Sequence, residues 1–289
     1  MYQLLTDSAL DLPYQTLAAN HVDFVSMHVD IAGQEYQDDL EQQFDLDHFY
    51  QQIANGVMPT TAQINIGQFV EFFKPYVVAK TPILYLGFSS GLSGTFNSAV
   101  QAKAMLLNDY PTAQIYLVDS LAASCGQGLM VLDAIDKRDA GMSITDLAAW
   151  LTTNRLRYRQ WFTVDDLNYL YHGGRVSRTS ATVGSLLHIK PVMDVDTAGH
   201  LRVVKKARSR RKSLEALAAN TIATLAEPVT PRILIATTQA EDAANIVQEQ
   251  ILQQVPQAQV AIEHIGPTIG SHTGLGCVAV FSLGNTERN

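Results

Sequence analysis

The chain of 289 residues has little cysteine: Cys125 and Cys277 are the only two, with no C-x-x-C pair and no histidine at ligand spacing. That excludes a disulfide framework and a zinc site, and both thiols are expected to be buried small hydrophobes. Long apolar runs are also missing. Although 47% of the residues are hydrophobic, nothing approaches the ~18 consecutive apolar residues that a membrane-spanning helix needs. The start, Met1-Tyr2-Gln3, lacks the basic residues and apolar stretch of a secretory signal, so a soluble cytoplasmic protein is expected. There is no G-x-x-x-x-G-K-[ST], no G-x-G-x-x-G and no metal-loop spacing of acids, so no nucleotide or metal site is expected on this chain. Any phosphoryl chemistry would need a nucleotide and magnesium carried by another protein.

Basic residues are scarce in the first half and dense in the second. Residues 1–153 hold five Lys and Arg against seventeen Asp and Glu, whereas residues 154–289 hold fifteen against eleven. Within the second half, residues 154–212 carry thirteen basic side chains and four acidic ones. A segment with that balance either forms a solvated basic face or attracts something anionic. Nucleic acid is disfavoured, because no aromatic residue lies between Tyr171 and the cluster Arg210-Arg211-Lys212, and no nucleic-acid fold signature is present. An acidic partner or a phosphorylated ligand remains. The change of sign near Asn154 sets the expected domain boundary, with one domain over 1–153 and another over 154–289.

What is present is a repeated strand-to-helix pattern. Residues 83–86 form a short apolar run that ends at Gly87, and residues 95–107 keep helical spacing of apolar positions. Between them lies Ser89-Ser90-Gly91-Leu92-Ser93-Gly94-Thr95, where small residues turn tightly and hydroxyls and amides stay free at a helix N-terminus. This is the local design of an anion cradle. Strands are also expected over 2–6, 24–31 and 115–120, with helices over 66–78, 122–140 and 145–157. Strands that alternate with helices and end in Asp-Ser or Ser-Ser predict an α/β fold whose mainly parallel sheet has a polar rim at its C-terminal edge. In the second half, a strand over 161–164, a short helix over 165–171 and a helix over 180–189 precede a hairpin of 191–195 with 201–205. A helix over 210–225, a strand over 233–237, a helix over 241–254, a strand over 260–265, a glycine-rich stretch over 266–276 and a last strand over 277–283 complete the pattern. The period-two alternation through 24–31 makes His28 a solvent-facing strand residue. The acidic run over 35–47, Asp38 included, reads as solvated carboxylates, and Thr60 and Thr61 stand where a helix N-cap is expected.

Two constellations compete for the chemistry. Gly87-Phe88-Ser89-Ser90-Gly91 matches G-x-S-x-G, and Asp119 and His272 follow in the order of a serine hydrolase triad. Against that alternative, the helix begins near Ser93 to Thr95 instead of directly after Ser89. The lookalike of an oxyanion loop, His172-Gly173-Gly174, also comes after the nucleophile when it should precede it. The second constellation has no nucleophile. Thr61, Ser93, an amide at Gly94 and His272 offer two hydroxyls, a helix N-terminus and an imidazole to one carboxylate, unless His272 is a loop residue bonded to backbone. Gly173-Gly174-Arg175 and the basic residues Lys206 and Arg208 add guanidinium and ammonium groups suited to a carboxylate or phosphate.

Taken together, these motifs resemble the DegV family of bacterial fatty-acid-binding proteins, the acyl-carrying subunits of a two-component fatty acid kinase. The similarity covers nearly the whole chain. It is carried by Thr6-Asp7-Ser8 with Asp11-Leu12-Pro13, Pro59-Thr60-Thr61 with Gln63, the 89–95 stretch, Asp119-Ser120, Leu167 with Gly173-Gly174-Arg175-Val176, Lys190-Pro191, Lys206 with Arg208, and His272-Thr273-Gly274. The resemblance implies two α/β domains, each a mainly parallel or mixed sheet flanked by helices, with an acyl chain buried at their junction. The carboxylate would be held by Thr61, Ser93, Gly94 and His272. It also implies no catalytic residue and no bound cofactor or metal on this chain, with ATP and magnesium on the partner kinase that converts the carboxylate to an acyl phosphate. Arg175, Lys206 and Arg208 would meet that partner or the phosphoryl group, and membrane contact would be transient. Two departures stand out: Thr61-Ala62-Gln63-Ile64-Asn65 where the family usually has Thr-Ser-Gln-Pro-Ser, and Leu275 where it has proline.

Overall fold

A computed structural model describes residues 2–177, 189–226 and 230–289. The first sheet has four parallel strands in the order β2-β1-β6-β7: β1 (Gln3–Asp7), β2 (Val22–Val25), β6 (Ile83–Gly87) and β7 (Ile115–Asp119). The central strand β6 is buried along its whole length, which explains its unbroken apolar run Ile83-Leu84-Tyr85-Leu86. The helices Ile66–Val78 and Thr95–Asp109 lie on one face of this sheet and seal it with Phe69, Phe73, Ala99, Ala102 and Leu106. Cys125–Asp139 and Ile144–Asn154 contribute Leu129, Met130, Leu147 and Leu151 to the largest core cluster.

A small antiparallel sheet of order β4-β3-β5 joins β3 (His28–Ile31), β4 (Gln34–Gln37) and β5 (Thr60–Ala62). The single strand expected over 24–31 is therefore two strands in two different sheets. Alternation of side chains cannot register a change of partner; here the break falls at Ser26-Met27, where the Met27 amide donates to Ser8 Oγ at 2.9 Å. His28 is also not the solvent-facing residue expected. Its side chain is 13% exposed, with Nδ1 2.7 Å from Glu35 and Nε2 2.5 Å from the Gln68 amide. The cap of the helix Ile66–Val78 is Asn65, which forms a reciprocal capping box with Gln68, so the Thr60 and Thr61 hydroxyls are not spent on it.

The second large sheet is mixed, with order β10-β9-β8-β13-β11-β12. It comprises β8 (Tyr158–Thr163), β9 (Lys190–Val195), β10 (Leu201–Ala207), β11 (Arg232–Thr237), β12 (Gln259–His264) and β13 (Val278–Leu283). Only β11 with β12 runs parallel; the other neighbours are antiparallel, including the expected hairpin of β9 with β10. The helices Arg210–Thr224 and Glu241–Gln254 cover one face through Leu214, Leu217, Val247 and Ile251. The helix expected over 180–189 lies, but for its last residue, outside the described residues. Much of the basic segment turns out to hold the fold together. Arg155 donates to the Asp119 carbonyl, Arg157 to that of Gly284, Arg159 to those of Thr286 and Glu287, and Arg202 pairs with Asp194 at 2.6 Å.

Candidate functional site

The parallel sheet ends its strands at Asp7, Gly87 and Asp119, and the face of the second sheet stands opposite that edge. Between them lies a cavity of about 310 Å³. Ligands of open α/β sheets bind beyond the carboxyl ends of the strands, where loops leave a crevice. The buried part of the lining includes Phe162, Val195, Ala279 and Phe281, all 7% exposed or less, with the polar Gln160 at 3% among them. The polar end of the cavity reaches the surface, where Ala62, Gln63 and Gly94 are exposed and Thr61, Ser93, Arg175 and His272 are partly covered.

Four of the expected residues, Thr61, Ser93, Gly94 and His272, therefore line one space, and Arg175 lines it with them. Each arrives on a different element. Thr61 comes from β5, Ser93 and Gly94 lead into the helix Thr95–Asp109, and His272 sits on a short helix, Pro267–Thr273. That helix replaces the glycine-rich loop expected over 266–276: Pro267 at its first turn has no amide to lose, and Gly274 with φ +63° ends it. His272 is thus not a loop residue bonded to backbone. Its Nε2 lies 2.8 Å from Thr61 Oγ1, across 211 residues of sequence. Arg175 braces the wall by donating from Nε to the Leu92 carbonyl at 3.1 Å and from Nη1 to the Gly173 carbonyl.

The donors at this end are hydroxyls, a helix N-terminus and an imidazole, with the Arg175 guanidinium beside them. Burial, with the Arg175 guanidinium second, pushes His272 down to about 3, so its ring is uncharged at neutral pH. In one tautomer Nε2–H donates to Thr61, which frees the Thr61 proton for a ligand. Ser93 Oγ lies 3.0 Å from Thr95 Oγ1 and accepts from the Thr95 amide, and Gly94, the N-cap, brings no side-chain cap of its own. The positive end of a fifteen-residue helix is therefore presented at the rim of the cavity. A second cavity of about 280 Å³, lined by Met58, Pro59, Tyr169, His172 and Ser271, shares Thr61, Arg175 and His272 with the first. These three side chains form the partition between the two spaces.

The hydrolase triad is not assembled. Ser89 is fully buried and donates from Oγ to the Gly199 carbonyl at 2.9 Å, Asp119 accepts from the Ser90 and Leu121 amides, and His272 turns to Thr61. Lys206 and Arg208 do not line the cavity. They are exposed on and just beyond the edge strand β10, beside Lys205, and make no ion pair among the described residues. Both thiols are buried as expected, but Cys277 also lines the cavity. Sequence reading missed Thr268, Thr273 and Gln160, which also line it. Asp38 is not the solvated carboxylate expected. It is 1% exposed and accepts from Thr268 Oγ1 at 2.5 Å, and burial raises it to about 6. No local signal separates it from its solvated neighbours in the acidic run.

Fold and site together define an α/β protein that encloses an apolar cavity and closes it with hydroxyls, a helix N-terminus and an uncharged imidazole. The family described as "Uncharacterised protein, DegV family" matches residues 1–285, and the chain belongs to the DegV family. A DegV domain-containing protein of Clostridium perfringens is 40% identical over 286 residues, covering 99% of this chain and 98% of its own. Among solved structures, a DegV family protein from Thermus thermophilus described by its fatty acid binding has a TM-score of 0.88 at 28% identity, covering 98% of this chain and 99% of its own. The Fatty Acid Kinase (Fak) B3 protein of Streptococcus pneumoniae, loaded with linoleic acid, shares the fold with a TM-score of 0.88 at 24% identity, over 99% of this chain and 100% of its own.

Proposed function

We propose that this protein binds a long-chain fatty acid, buries the acyl tail in the 310 Å³ cavity and presents the carboxylate to a separate kinase subunit. The observation that carries this reading is the lining of the cavity, where buried apolar side chains such as Phe162 and Phe281 meet the partly covered polar side chains of Thr61, Ser93 and His272. Affinity comes from the tail, since each buried methylene contributes ~0.8 kcal/mol. Orientation comes from the head, where Thr61, Ser93, the Gly94 region and His272 supply donors. The Thermus thermophilus relative supports the lipid part of the reading.

The kinase part follows from the family resemblance. The partner brings ATP and magnesium and forms the acyl phosphate, while this chain contributes no catalytic group. Arg175 in the partition faces the head group, and Lys206 and Arg208 on the open edge of the second sheet offer an acidic partner its contact. The reading keeps the domain boundary at 153/154, a cytoplasmic location and only transient contact with membranes. Among the described residues, no helix is long and apolar enough to cross a membrane.

Native mass spectrometry of the purified protein, with lipid extraction, tests the proposal. The expected result is a long-chain fatty acid bound in the isolated protein or taken up on addition. A protein that is empty and stays empty with added fatty acids would overturn it.

A further inference from the structure

The helix that carries His272 is gripped at its head by three side chains from the first 54 residues. Tyr50 Oη donates to the Ile265 carbonyl at 2.6 Å, Asp11 Oδ1 accepts from the Gly266 amide at 2.9 Å, and Asp38 Oδ2 accepts from Thr268 Oγ1 at 2.5 Å. The sequence separations are 215, 255 and 230 residues. All three side chains are 5% exposed or less. Gly266 marks their convergence: a Cβ placed there would lie 3.0 Å from Asp11 Oδ1 and 3.7 Å from Asp38 Oδ2.

Each grip is itself supported. Asp11, held at φ +50°, also accepts from Ser124 Oγ at 2.5 Å, and Asp38 accepts from the Leu40 amide. The aromatic ring of Tyr50 packs edge-on against Phe49 at 5.0 Å between centroids. Two carboxyl groups buried so close together are costly to place, because both lose water and each disfavours the charge of the other. Packing alone could hold a seven-residue helix with apolar side chains. Polar groups buy direction, fixing the helix in register and rotation, and that is what the 2.8 Å contact of His272 with Thr61 requires.

We propose that Asp38, Asp11 and Tyr50 are positioning residues for ligand binding, a three-point latch that sets the rotation of the Pro267–Thr273 helix and so holds the His272 imidazole against Thr61. Thr268, one turn before His272, lines the cavity and hydrogen-bonds Asp38, so the latch and the ligand wall share a residue. Releasing the latch turns His272 away from Thr61 and admits water to the ring. The groups that face Asp38 and Asp11 across this junction include Ser8, Glu41, Tyr50, Ser124, Cys125, Thr268 and Cys277. The binding arm of the test rests on the fatty-acid reading; the imidazole arm does not.

The test compares Asp38→Ala, Asp38→Asn and Tyr50→Phe in the full-length protein, with two readouts: the dissociation constant for oleate and the protonation of His272 at pH 5 by nitrogen NMR of the imidazole. Wild-type His272 is neutral at that pH. Asp38→Ala and Tyr50→Phe are expected to weaken oleate binding by about two- to twelvefold, the range of one net hydrogen bond, and to raise the protonated fraction of His272. Asp38→Asn, which keeps an acceptor for Thr268, is expected to stay close to wild type in both. Should Asp38→Ala fail to fold, Tyr50→Phe carries the test alone, since it deletes one hydroxyl and keeps the ring. Unmoved His272 protonation in every folded variant overturns the latch, even if binding weakens. If the wild-type protein binds no fatty acid, the proposed function fails, and the imidazole readout still decides the latch.

Discussion

His272 Nε2 and Thr61 Oγ1 lie 2.8 Å apart, one on a short helix near the end of the chain and the other on a three-residue strand near residue 60. This contact lies at the polar end of the cavity, where it borders the second one. Its consequences are testable.

Removing the donors should weaken head-group binding without unfolding the protein. Ser93→Ala and His272→Ala are each expected to raise the dissociation constant for a long-chain fatty acid by about two- to twelvefold, the range of one net hydrogen bond. Ser89→Ala, whose hydroxyl serves the Gly199 carbonyl outside the cavity, should leave the constant unchanged. Isothermal titration calorimetry on the three variants distinguishes these outcomes, and an esterase activity lost in Ser89→Ala and His272→Ala but kept in Ser93→Ala would restore the hydrolase alternative.

Gly173 offers a sharper probe of the imidazole. Its φ of −70° suits alanine, yet a Cβ would lie 2.0 Å from His272 Nδ1, so Ala there must push the ring off Thr61. Gly173→Ala is expected to cost about 1 to 3 kcal/mol in thermal unfolding, as overpacked sites do. Fatty acid binding should fall by about tenfold or more, and wild-type affinity in a folded Gly173→Ala protein contradicts the site.

The buried titratable groups give opposite pH dependences. His272 is lowered from 6.5 to about 3, so the folded state binds fewer protons than the unfolded one, and stability present above pH 6.5 is lost as pH falls toward 3. Asp38 is raised from 3.8 to about 6, so the folded state binds more protons; that contribution is complete below pH 3.8 and is lost as pH rises through 6. Asp7 and Asp11, also raised by burial, act in the same direction as Asp38. Melting curves at pH 4.5 and pH 7 should show His272→Gln gaining on wild type in acid, and Asp38→Asn gaining on wild type at neutral pH. Parallel shifts at both pH values contradict the assignment.

The basic edge can be separated from the lipid site. Charge reversal at Lys206 and Arg208 is expected to leave fatty acid uptake intact and to impair acyl phosphate formation with a kinase subunit. Unaltered phosphorylation of the fatty acid held by the double variant returns this edge to plain solvated surface.

The α/β class and the 89–95 turn were legible because their signals are local. A buried strand writes an apolar run, and a helix start writes small and hydroxylated residues, as at Ile83–Gly87 and Thr95–Asp109. That Thr61, Ser93, Gly94 and His272 line one cavity agrees with the constellation of hydroxyls, helix start and imidazole, although spacing alone also allowed Thr61 as a helix cap and His272 as a loop residue. What stayed hidden depends on distant partners. Alternation ran unbroken through 24–31 although the strand changes sheets. His28 and Asp38 looked solvated because Gln68 and Thr268, which cover them, lie 40 and 230 residues away. The three-point grip on Ile265, Gly266 and Thr268 has no sequence signature, since its groups belong to unrelated segments.

Ser89, set aside as a nucleophile, joins the two halves of the fold. Its hydroxyl ties the loop that leads to Ser93 to Gly199, at the turn between β9 and β10. From that turn β10 runs seven residues to Ala207, about 23 Å of extended chain, and ends among Lys205, Lys206 and Arg208. The Ser89–Gly199 hydrogen bond and strand β10 thus join the loop that carries Ser93 to the basic edge through continuous structure.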